Sequence, residues 1–217
     1  MAYTPPNFIV KSTINVFNKK SESVNSIEFC LGDISELDKE RNKVDLLVMS
    51  AAKDSYGSPK DTVMSALSTN LGLNVGDLAN NKAVDRRSTH KCWWSQPLQN
   101  MPYGRLLCYE SGSSLGIATD CTTSVFTCMK EIFQQTSFKA AISLLNTGGQ
   151  GLDEVAMLQA IVEAAINDIE DGLDLRQLMI FINAEIKDEQ LVGEPKVRNY
   201  EGISAKFEEI KQKHGQI

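Results

Sequence analysis

The segment Leu145-Asn-Thr-Gly-Gly-Gln-Gly-Leu152 holds the residues best suited to chemistry in this sequence. Three glycines, Gly148, Gly149 and Gly151, allow backbone conformations closed to residues with a β-carbon and let a ligand come close to the main chain. Thr147 and Gln150 add polar side chains, and Leu152 ends the stretch where an amphipathic run begins. Exposed N–H groups there, with the positive end of a following helix, suit an anion such as phosphate or diphosphate. The plainer reading of the same glycines is a tight strand-to-helix turn. Their spacing fits neither G-x-G-x-x-G nor G-x-x-x-x-G-K-[ST], which argues against a dinucleotide fingerprint and a Walker loop.

Two further spots can share such a ligand. Asp33, in Gly32-Asp33-Ile34, offers a carboxylate that can accept from an exocyclic amine such as that of adenine, although Gly-Asp is by itself mostly a turn. Ser50, Ala51 and Ala52 follow the apolar run Val44 to Met49, and their small side chains admit a ligand or a neighbouring helix. In open α/β sheets ligands bind outside the carboxyl ends of strands, where all three spots would converge.

Other chemistry is poorly supplied. Cys30, Cys92, Cys108, Cys121 and Cys128 form an odd set without a C-x-x-C pair. That pattern reads as reduced cytoplasmic thiols rather than a disulfide framework or a thiolate zinc site. His90 and His214 are the only histidines and have no partner at metal-ligand spacing, so neither a metal site nor a Ser/His/Asp arrangement is expected. No catalytic residue and no cofactor is indicated. Lys82, Arg86, Arg87, His90 and Lys91 around Trp93-Trp94 have the make-up of a small RNA platform. Better readings have the tryptophans anchor their stretch to the core, or cover the ligand with Arg86 or Arg87 against phosphate.

The elements that position these residues follow from periodicity. Phe8 to Phe17 and Ser26 to Leu31 read as strands joined by a polar turn, and Val44 to Met49 as a strand buried on both faces. Ser58-Pro59 with Val63, Leu67 and Leu71 predicts a helix from Pro59 to Leu71, stopped at Gly72. Residues 74–104 lose all pattern and read as an irregular insertion or surface excursion. Arg105 to Tyr109 is a strand, Val125, Met129, Ile132 and Phe133 stripe a helix, and Lys139 to Leu145 is a third apolar strand. After the glycine stretch, Val155, Leu158, Val162, Ala165 and Ile169 mark a strongly amphipathic helix, with Gly172 as its stop. Leu178 to Ile182 is a last buried strand, and Ile203, Phe207 and Ile210 stripe a terminal helix. Strand, glycine loop, helix and strand in that order demand a right-handed crossover between parallel strands. The expected class is α/β with a mixed, mostly parallel sheet.

The chain has 217 residues, 42% hydrophobic and 23% charged, and its 22 Lys+Arg against 28 Asp+Glu leave a net charge of −6. The length suits one large domain over residues 1–217, with a core near 26–183 and a helical tail near 200–217. The composition excludes collagen-like and disordered classes, and the charge argues against a nucleic-acid binder driven by phosphate contacts. No signal peptide and no stretch of about 20 apolar residues, the length that spans a bilayer, is visible.

Ile27-Glu-Phe-Cys-Leu-Gly-Asp-Ile34, then Val44-Asp-Leu-Leu-Val48 with Ala51-Ala52, then Ile142-Ser-Leu-Leu-Asn-Thr-Gly-Gly-Gln-Gly151 with its helix, resemble a macro domain in order and spacing. The likeness spans roughly residues 26–183. It implies a three-layer α/β/α fold that binds ADP-ribose or a related nucleotide over the sheet. Asp33 would meet the adenine amine and Ile34 would line its pocket or offer its backbone; Thr147, Gly148, Gly149, Gln150 and Gly151 would wrap the diphosphate and a ribose. Asn183, at the end of the last core strand, is a further adenine-side candidate. Hydrolytic members carry Asn-Ala-Ala-Asn and a run of glycines, where this chain reads Met49-Ser-Ala-Ala-Lys-Asp-Ser-Tyr-Gly-Ser58. That departure argues against hydrolysis and leaves recognition intact; since several members of the family serve as readers within larger systems, the resemblance implies a binding or sensing module with a partner protein that reads occupancy. The alternatives are an ADP-ribosyl hydrolase or phosphoesterase in the same cleft, and an interaction domain whose cleft is vestigial.

Overall fold

A computed structural model describes residues 7–57, 59–112, 116–149 and 151–214. Its centre is made by the apolar runs, which become strands β3 (Val44–Ala52), β7 (Phe138–Ser143) and β8 (Leu175–Ile182). Side chains on both faces of these strands are buried, which is why they read as near-continuous hydrophobic stretches. They join β1 (Phe8–Asn18), β2 (Ser23–Gly32), β4 (Lys82–Arg86), β5 (Cys92–Ser95) and β6 (Tyr103–Ser111) in one eight-stranded sheet. The order is β1-β2-β8-β7-β3-β6-β5-β4. The five strands from β2 to β6 are parallel, and β1, β5 and β4 pair antiparallel at the two edges.

Helices cover both faces. Helices α4 (Ala118–Phe133), α5 (Glu154–Glu170) and α6 (Tyr200–His214) close a core cluster with Ile142, Ile180 and Leu107 from one sheet face. On the other face α1 (Val63–Leu71) and α2 (Val75–Asn80) pack with Leu47, Met49, Trp93 and Phe181. The result is the expected three-layer α/β/α arrangement. The Asp153 side chain caps α5, accepting from Ala156 N–H at 2.7 Å. Of the predicted stripe on α5, Leu158, Val162, Ala165 and Ile169 are buried and Val155 is half-buried against the same cluster; Ile161 and Ile166 are buried beside them. Among the described residues no helix is long and apolar enough to cross a membrane.

Two expectations are corrected. Residues 74–104 are not an irregular excursion: they supply α2, β4, a helical turn α3 (Arg87–His90) and β5, and so extend the sheet. Trp93 and Trp94 sit on β5, buried against opposite faces, so the tryptophans do anchor this segment. Helix α1 begins at Val63 rather than Pro59, because Asp61 takes a positive φ of 63° and the Thr62 hydroxyl caps, accepting from Ser65 N–H. Ser58, the expected cap, lies outside the described residues. Gly72 does stop this helix, in the left-handed conformation. A small hairpin, β9 (Glu185–Lys187) with β10 (Gln190–Val192), follows the last core strand and had no signature in the sequence.

Candidate functional site

At the carboxyl ends of the parallel strands lies a cleft of about 420 Å³. The end of β3 contributes Ser50, Ala51 and Ala52, the start of α1 contributes Thr62, Val63 and Met64, and the loop after β7 contributes Asn146, Thr147, Gly148 and Gly149. The end of β8 adds Phe181, Ile182 and Asn183, and the segment 193–199 adds Lys196 and Val197. Asp61 and Lys196 are the charged side chains among the described residues that line it.

The glycine loop is held by its own backbone and by its neighbours. Asn146 N–H donates to Ser50 Oγ at 2.9 Å, Leu152 N–H to Asn146 O at 3.0 Å, and Gly151 N–H to Gly148 O at 3.0 Å. The Thr147 hydroxyl donates to Leu144 O at 3.1 Å. Gly151 takes a φ of 76°, which a residue with a β-carbon rarely adopts. Among the described residues the amides of Thr147, Gly148 and Gly149 meet no acceptor, and a β-carbon built at Gly148 or Gly149 meets nothing within 4 Å. Open space and free donors coincide there. Buried Asn146 has an Oδ1 without a donor among the described residues, a place for a bound water or a ligand group.

The helix end is less inviting to an anion than the sequence suggested. Asp153 caps α5, and Glu154 is a buried carboxylate in its first turn. The free amides of the loop, rather than the helix terminus, are therefore the donors on offer. Glu154 accepts from Arg198 N–H at 3.0 Å and Asn199 N–H at 3.0 Å, and Arg198 Nε stands 3.4 Å away. One nitrogen of the same guanidinium donates to Thr147 O and Leu152 O, each at 2.9 Å. Lys196 N–H donates to Asn183 O at 2.7 Å, which ties segment 193–199 to the opposite wall. Sequence reasoning missed Arg198, Glu154 and Lys196, because they meet the loop across distances no local pattern records.

The expected site residues fall into four groups. Ser50, Ala51, Thr147, Gly148, Gly149 and Asn183 line the cleft, whereas Gly151 and Leu152 close the loop behind it. Asp33 and Ile34 are not among its lining residues. Asp33 caps a short 3-10 turn, its Oδ1 accepting from Ser35 N–H at 2.8 Å and Ser35 Oγ at 2.7 Å. It is nonetheless at the same sheet end, since Leu31 pairs with Ile182 and the next residues on each strand lead to Asp33 and Asn183. Buried Ile34 gives its carbonyl to the Tyr103 hydroxyl. Gln150 lies outside the described residues.

The loop after β3, residues 53–57, is fastened by charge. Tyr56 donates to the buried carboxylate of Glu110 at the end of β6, and Asp54 N–H approaches the same group at 3.4 Å. Arg87 joins Asp85 at 2.7 Å, Asp54 at 2.9 Å and Glu110 at 3.5 Å. Its hydrogen bonds to Asp85 raise the guanidinium's pKa and hold that carboxyl below the usual range. Arg86 pairs with Glu131. Both arginines expected against phosphate are thus committed outside the glycine cleft, and Arg87 lines a second cavity with Lys53, Asp85, Lys91 and Glu110.

No family model and no curated protein sequence matches this chain. Solved structures do. The Oceanobacillus iheyensis macrodomain with ADP superposes at a TM-score of 0.54 and 12% identity, covering 93% of this chain and 98% of that one. The Trypanosoma brucei macrodomain in complex with ADP-ribose superposes at 0.58 and 15% identity, covering 85% and 68%. With its mixed sheet, its two helical layers and a likeness that runs through most of its length, the chain has the macrodomain fold.

Proposed function

We propose that this chain binds ADP-ribose or a related NAD-derived nucleotide and serves as a sensing module whose occupancy a partner protein reads. The observation that carries the proposal is the coincidence at Thr147, Gly148 and Gly149 of free amides with unfilled space at the strand ends. A diphosphate accepts from several N–H groups at once, so such a loop suits it better than a neutral sugar or base. The adenine would lie toward Asn183 and the end of β2, with Asp33 accepting from its amine, and the distal ribose toward Ser55 and Gly57. The complexes of the two similar macrodomains, one with ADP and one with ADP-ribose, support this choice of ligand. Recognition is favoured over hydrolysis because the loop after β3 has no asparagine pair, and Asp54 and Glu110 are engaged by Arg87 and Tyr56.

Calorimetry with ADP-ribose tests this, with affinity near micromolar expected, about 8 kcal/mol of binding free energy. Gly149→Glu should abolish that heat while leaving the melting temperature nearly unchanged, since the side chain enters open space but brings a negative charge against the diphosphate. Unchanged affinity in this variant places the anion elsewhere. No heat from wild type with any adenine nucleotide leaves an interaction domain with a vestigial cleft.

A further inference from the structure

Resting on that reading, we infer that Arg198 is a positioning residue for the anion-binding loop, which makes segment 193–199 part of the diphosphate site. In a trans peptide the carbonyl and the following N–H point in opposite directions, and the described chain contains no cis bond. Each carbonyl before the three free amides accepts a hydrogen bond. Asn146 O accepts from Leu152 N–H, Gly148 O from Gly151 N–H, and Thr147 O from Arg198. Their partner amides on Thr147, Gly149 and Gly148 are therefore turned the other way. Two of these three ties are internal to the loop; the third comes from a side chain beyond β8. The same nitrogen also holds Leu152 O, so one guanidinium spans both ends of the loop.

Arg198 has a second, electrostatic task. Glu154 is buried, and its carboxylate lies within reach of the guanidinium that grips the loop. Without a cation beside it, that negative charge would oppose any anion arriving at Gly148 and Gly149. Lysine keeps the charge but not the planar fork that reaches two carbonyls and a carboxylate together.

The test compares wild type, Arg198→Ala, Arg198→Lys and the double variant Arg198→Ala/Glu154→Gln, by titration with ADP-ribose and with pyrophosphate and by amide hydrogen exchange without ligand. Arg198→Ala should weaken both ligands about tenfold or more, as expected for losing hydrogen bonds from a charged donor. Arg198→Lys should fall between it and wild type. The double variant should recover part of the loss, a gain that a purely structural defect would not produce. Without ligand, the Gly151 and Leu152 amides should exchange faster in Arg198→Ala while those of β8 stay protected, which also shows that the variant folds. Wild-type affinity and unchanged exchange at Gly151 and Leu152 in Arg198→Ala would overturn the inference. If wild type binds neither ligand, the proposed function fails, and the exchange at Gly151 and Leu152 alone decides whether Arg198 holds the loop.

Discussion

Gly32, the last residue of β2, and Gly148, in the loop after β7, follow the same end of the parallel sheet and meet opposite demands. Gly32 has a φ of 151°, and a β-carbon there would sit 2.6 Å from the Phe8 β-carbon and 2.8 Å from Asn7 O. Its missing side chain is what lets β1 pair with β2 at that point, where Gly32 opposes Phe8. Gly148 has open space where a side chain would go. Gly32→Ala should therefore cost about 1–3 kcal/mol in a urea melt, the usual range for overpacking, whereas Gly148→Ala should stay within about 0.5 kcal/mol of wild type. Affinity should run the other way, with Gly148→Ala weakening ADP-ribose by crowding the diphosphate. A large stability loss at Gly148 would mean the loop is a folding element rather than a cradle. The sequence motif alone could not separate these roles, because both glycines read as turn residues.

Between elements, the loop after β3 depends on a proton. Burial, and then the hydrogen bond to Glu110, raise the Tyr56 phenol well above its ordinary value of 10.0. A phenol that ionises later in the fold than in the unfolded chain contributes stability fully present below about pH 10 and lost as the pH rises toward its folded value. Tyr109 is likewise pushed up to about 12 by burial, so the alkaline loss is shared. Tyr56→Phe should lower stability by about 1–3 kcal/mol at neutral pH, because Glu110 loses a donor, and should make the decline above pH 10 shallower. Parallel curves for variant and wild type in a pH series of chemical melts would show that Tyr56 does not titrate with the fold. This network was invisible in the sequence, since Tyr56, Arg87 and Glu110 come from separate elements and each alone looks like a solvated residue. The same reason hid β4: Lys82, Asp85 and Arg86 gave it a polar face, and the partner of Arg86 is Glu131 on α4. The buried strands and α5 were legible because their patterns repeat within a few residues.

For the whole molecule, the consequence is that one sheet end gathers residues from β2, β3, β7, β8 and segment 193–199, so a ligand bound there links parts far apart in the chain. Order along the sequence revealed the first four of these contributors, each ending a strand. It could not reveal the last, whose position is fixed by Arg198 and Lys196 rather than by periodicity. A ligand that binds only the folded state adds stability by mass action, about 2.7 kcal/mol at a hundredfold excess over its dissociation constant. For a chain of this size each kcal/mol moves the melting temperature by about 2–4 °C, so ADP-ribose at that excess should raise it by about 5–11 °C. Pyrophosphate at the same molar concentration should raise it less, because it engages the glycine loop without the adenine end, and adenosine should raise it least of the three. Equal shifts with adenosine and ADP-ribose would mean that the base, not the diphosphate, supplies the binding energy, and the free amides of Thr147, Gly148 and Gly149 would then need another explanation.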